Sequence, residues 1–167
     1  MRARKIFAEG FIAGFLGAGG VAIWFLIVDL IAGRPFFTPA MLGSAFFWGV
    51  LDPSAVEVTF PAVIGYSMLH VLGFVAVGTA AAALVHLAEV FPTFVFLLVF
   101  LFAVFEFGFY ILVSLLAQPL LGALAWFNVA IGNLIAAGGM GYYLWRAHPR
   151  LRESLAKHPI GETMDGE

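Results

Sequence analysis

Long apolar stretches broken by brief polar interruptions dominate the chain, at residues 8–31, 61–87, 93–117 and 120–145. Each exceeds the ~20 residues that a helix needs to cross ~30 Å of hydrocarbon. None alternates in the manner of a barrel strand, and a lone backbone segment in lipid satisfies its own hydrogen bonds only as a helix. The pattern predicts an all-α fold: a polytopic integral membrane protein with four transmembrane helices in a bundle. Pro92 and Pro119 stand where first helical turns would begin, Pro61 does so behind Thr59, and His148-Pro149 closes the last helix. The short links Glu89-Val90-Phe91 and Gln118-Pro119 predict antiparallel neighbours.

The first outer connection, residues 32–60, is longer and still apolar. Thr38-Pro39 is a cap and first-turn pair that predicts a short helix over 39–50, too short to cross and held in the outer interface by Phe46, Phe47 and Trp48. Asp52-Pro53 repeats the start signal. Residues 1–150 are thus expected to form the transmembrane domain, and 151–167 a flexible cytoplasmic tail.

Composition narrows the class. Of 167 residues, 63% are hydrophobic and 11% charged, far from the balance of a soluble or a disordered chain. The absence of cysteine removes disulfides, thiolate metal sites and cysteine nucleophiles. A net charge of −2 without an extended basic patch argues against nucleic acid as a partner. The basic residues Arg2, Arg4, Lys5, Arg146, Arg150, Arg152 and Lys157 lie at the two ends, and Arg34 alone in the first outer connection. Four spans and the positive-inside rule place both termini in the cytoplasm. The first apolar run is too long for a signal-peptide core and reads as a retained span.

Polar residues inside spans demand a reason, because each ionisable one costs ~2.5–3.5 kcal/mol on insertion scales. Counted from the outer helix ends, Glu106 lies about 16 Å deep, His70 about 14 Å, Asn133 about 20 Å and Asn128 about 12 Å. Glu106, Tyr110 and Ser114 share one helix face, and Tyr66 and Ser67 lie one turn from His70. The expectation is an intramembrane cluster of His70, Glu106, Asn133, Asn128 and Tyr110, in which Glu106 faces His70. It serves as an interhelical hydrogen-bond clamp, as a proton relay or as a ligand site. Asp29 and Arg34 are expected to form a salt bridge in the outer loop. A cation held by Asp29 with Asp52 or Glu57 lacks the spacing of a calcium loop, His86 reads as an ordinary interfacial histidine, and no metal ligand is assigned. Gly10, Gly14 and Gly17 form a face for close helix packing. The nineteen phenylalanines suit lipid and interhelical contact, while Trp48, Tyr142, Tyr143 and Trp145 suit interfacial anchors.

The run Asp29-x3-Gly33-Arg34-Pro35-x2-Thr38-Pro39-x2-Leu42-Gly43 resembles a segment of small bacterial four-helix membrane proteins. The resemblance spans only the first outer connection. It implies a location in the bacterial inner membrane and brings no activity, cofactor or catalytic residue with it. The first functional expectation is a non-catalytic accessory or scaffolding subunit of a larger membrane complex, partnered by lipid and by other membrane subunits or copies of itself. A small oligomeric transporter or proton-conducting protein using a His/Glu pair is the alternative. Third stands a haem- or pigment-binding protein, with a quinone or lipid as other possible ligands; the sequence specifies no cofactor. An enzyme ranks last, because the chain holds no HExxH, GxSxG or clustered His box.

Overall fold

The computed structural model describes residues 2–124 and 126–157, with the backbone alone at residues 2, 92, 109, 110, 112–124 and 154–157. Among the described residues the chain is all-helical. The helices are α1 (Arg2–Ile31), α2 (Phe37–Trp48), α3 (Phe60–Ala88), α4 (Val95–Leu124), α5 (Trp126–Ala147) and α6 (Pro149–Lys157), with 3-10 turns at Pro53–Ala55 and Pro92–Phe94. Two stretches of the described residues, Ala3–Ile31 and Phe60–Ala88, are long and apolar enough to cross a membrane.

α1 packs mainly on α3 and α5. The glycine face read from the sequence is the reason. A side chain at Gly10 would run into the Thr79 backbone, one at Gly14 would lie 2.6 Å from Val75 Cα, and one at Gly78 would lie 2.6 Å from Gly14 N. Small residues here let two backbones touch, and dispersion replaces the missing hydrophobic drive. Around this seam Ala13, Ala18, Phe74, Ala82, Val85 and Met140 form the buried core.

Two boundaries differ from expectation. The chain does not turn at Gln118-Pro119, because α4 continues through that pair to Leu124. Proline's φ of about −65° is itself helical, and the Leu-rich sequence on both sides of Pro119 keeps the helix going. Across the start of the expected tail, α6 runs from Pro149 to Lys157, with Leu151 buried in the core.

The C-terminal end of α1 is built around Asp29. Gly33, at φ +70°, ends the helix in a left-handed turn, with Gly33 N–H donating to Leu30 O and Arg34 N–H to Asp29 O. The Asp29 carboxylate meanwhile accepts from Thr38 N–H at 2.8 Å and Thr38 Oγ1 at 2.7 Å. It therefore caps α2 from outside, at the end where the helix dipole favours an anion. This corrects two expectations. Thr38 is not the cap but the capped residue, and Asp29 makes no salt bridge with Arg34 among the described residues. The Arg34 guanidinium instead lies 4.0 Å above the Phe37 ring. Asp29 and Thr38 are both buried, so Asp29→Ala is expected to cost about 1–2 kcal/mol, read as a lower thermal midpoint in detergent. Thr38→Val should cost less, because the backbone N–H bond survives.

α2 itself covers the stretch expected to lie at the outer interface, and it docks on α3 where Gly43 meets Ala62. Phe46, Phe47 and Trp48 are exposed. Asp52 caps the first 3-10 turn by accepting from Ser54 N–H and Ser54 Oγ. Those two bonds hold its carboxyl below the usual carboxylate range.

Candidate functional site

The mid-helix polar residues meet differently from the way their depths suggested. Asn133 on α5 donates through Nδ2 to Glu106 Oε2 on α4 at 2.6 Å, a clamp between two helices. His70 on α3 turns away from it. Its Nε2 lies 3.3 Å from Ala18 O on α1, and its ring packs against Tyr66 and Phe74. No hydrogen bond joins His70 to Glu106 among the described residues. The Asn128 backbone carbonyl accepts from the Trp24 indole at 2.9 Å, a bond apart from both. The side chains of Tyr110 and Ser114 lie outside the described residues.

A denser cluster lies at the other end of the helices, among residues to which the sequence analysis gave no chemical role. Glu9 comes from the second turn of α1, His86 from the last turn of α3 and Glu89 from the cap that follows it. His148 occupies the break between α5 and α6. Pro149 marks that break: it disfavours the helical conformation for the residue before it and suits the first turn of the next helix. The kink aims the imidazole into the bundle.

His86 Nε2 lies 2.7 Å from Glu9 Oε2, and His148 Nε2 lies 3.3 Å from the same oxygen. Behind them, Glu89 Oε1 accepts from His148 Nδ1 at 2.8 Å, and Glu89 Oε2 stands 3.9 Å from His86 Nδ1. Lys5 Nζ reaches the outer side of Glu9, 3.6 Å from Oε1. Glu9 and His86 are buried, and His148 is only 1% exposed. In the neutral ring, a proton on Nδ1 for the bond to Glu89 leaves Nε2 with a lone pair. That nitrogen has no hydrogen-bond partner, since its approach to Glu9 is misaligned. Two acceptors thus face each other in a buried place, an arrangement that favours a cation between them.

The ligand atoms of Glu9, His86 and His148 all lie within 4.8 Å of one another. They can bind a proton or a metal ion. They do not suit a bis-histidine haem, because the His86 and His148 rings stand 4.5 Å apart at 89°, with no room for a macrocycle between them. The signal that could have found this site was present: Glu9, His86 and His148 lie at ends of three apolar segments that meet on one side of the bundle. Charged groups are so ordinary at helix ends that the match passes unnoticed. Protein-family models, curated proteins and solved structures provide no match to the chain.

Proposed function

We propose that this chain is a four-span protein of the bacterial inner membrane, with both termini cytoplasmic, that takes up cations at the Glu9–His86–Glu89–His148 cluster. It belongs in this reading with small oligomeric transporters and conducting proteins. One observation carries the proposal: two buried imidazole nitrogens converge on one carboxylate oxygen, with a second carboxylate behind them. A clamp between helices needs one hydrogen-bonded pair, as Glu106 and Asn133 provide. Four titratable groups from three parts of the chain are more than a clamp requires, and ionisable groups in membrane-spanning segments mark ion or proton paths.

The test is flux in proteoliposomes that carry dyes for protons and for divalent metal ions. Wild-type protein should pass one of these cations down an imposed gradient, and Glu9→Gln should lower the rate at least tenfold with helix content unchanged. Absence of flux in the wild type, or equal flux in the variant, refutes the proposal.

Association into a larger assembly, either with copies of itself or as the accessory subunit of a complex, is favoured by a separate observation. Gly138, Gly139 and Gly141 on α5 and Gly73 on α3 meet nothing within 4 Å, although small residues normally mark close helix contacts. Neighbouring subunits would also supply the pathway walls that four helices alone lack.

A further inference from the structure

We infer that Glu9, His86 and His148 form a binding site for a first-row divalent metal ion of the zinc class, with Glu89 as the residue that orients His148. The inference rests on the cation-handling reading above and names its ion.

Donor chemistry comes first. Two imidazole nitrogens and one carboxylate oxygen are a ligand set that zinc takes readily, leaving a fourth position open for water or for exchange. Thiolate is absent from the chain and carbonyl-rich oxygen cages are absent from this cluster, so the set is too nitrogen-rich for calcium or magnesium.

Geometry agrees. In a tetrahedral site with bonds of ~2.0–2.1 Å, neighbouring ligand atoms stand ~3.3 Å apart. His148 Nε2 and Glu9 Oε2 are already at 3.3 Å, and His86 Nε2 lies 2.7 Å from that oxygen. Small side-chain rotations bring all three to one centre. A metal there replaces the proton shared by His86 Nε2 and Glu9, and leaves a His86 Nδ1 proton directed toward Glu89 Oε2, 3.9 Å away.

The orienting shell is also in place. Metal-binding histidines usually donate their second ring N–H to a carboxylate, which fixes both tautomer and ring angle. His148 does this to Glu89 at 2.8 Å, and its other nitrogen is the buried atom without a hydrogen-bond partner. An imidazole pinned by one nitrogen with the other aimed at a carboxylate is prepared for a metal. A purely structural histidine would satisfy both.

The experiment uses the full chain without an affinity tag, solubilised in mild detergent and stripped with a chelator. Calorimetric titration with Zn²⁺ should show one ion per chain, and Co²⁺ should give the visible d–d bands of a four-coordinate site. The thermal midpoint should rise with Zn²⁺ and not with Mg²⁺. His148→Gln should abolish the cobalt spectrum, and Glu89→Gln should weaken zinc binding about 10- to 100-fold. If His148→Gln does not fold, the Glu89→Gln titration decides, and unchanged affinity there overturns the inference. A folded wild type that takes up neither metal also overturns it. Proton flux that persists in that case, and is lost in Glu9→Gln, leaves the cation-handling reading standing with the proton as its ion. Loss of both flux and metal binding defeats both readings.

Discussion

Gly14→Val is expected to yield little folded protein, with a loss of several kcal/mol against ~1–3 kcal/mol for ordinary overpacking. The new Cβ would meet the Phe74 carbonyl and Val75 Cα, the latter at 2.6 Å. Both are backbone atoms inside a helix, so no rotamer change relieves the clash and α1 must move off α3 as a body. That movement also opens the contacts of Ala13 and Ala18, which are buried around the same seam. Gly19→Ala is the control, because nothing lies within 4 Å of a Cβ built there. It should be neutral or slightly stabilising, since alanine favours a helix interior by up to about 1 kcal/mol over glycine. Thermal midpoints of the two variants in one detergent check the argument. Equal midpoints would mean that α1 and α3 do not touch where the glycines say they do.

The second large effect belongs to Glu9→Ala. Removing one partner from a buried ionic group costs ~3–5 kcal/mol, because the groups left behind have lost both water and their counter-charge. Here the loss strands the Nε2 atoms of His86 and His148 together. It also unties α1 from both α3 and the α5–α6 junction. Glu9→Gln should lose much less. Its amide oxygen can still accept from His86 at the place of Oε2, where both imidazoles converge. Thermal unfolding of wild type, Glu9→Gln and Glu9→Ala should rank in that order. A Glu9→Ala midpoint at the wild-type value would show that the cluster contributes nothing to the fold.

What was legible in the sequence, and what was not, follows from the geometry of helices. Hydrophobic runs and prolines give the number and approximate limits of helical segments, and the Gly10–Gly14–Gly17 spacing gives a contact face. The helix at Phe37–Trp48 was readable from Thr38-Pro39, although the cap was assigned to the wrong residue: a carboxylate nine positions upstream does the capping. Depth counting placed His70 and Glu106 at one level. Level does not fix azimuth, however, and each residue turns a helix by about 100°. The two side chains leave their helices toward different neighbours, His70 toward α1 and Glu106 toward α5. The Glu9–His86–His148 cluster escaped for another reason. His148 lies where helical periodicity stops, so no pattern of spacing includes it.

Chain order adds a consequence in time. The principal partners of α1 are α3 and α5, and neither follows it directly. At ~5–20 residues per second of synthesis, several seconds separate completion of α1 from completion of α3. Throughout that interval the flat side of α1 has no surface to close on, and Glu9 waits for a histidine not yet made. Whatever attends the newborn chain must shelter both until translation reaches residue 88.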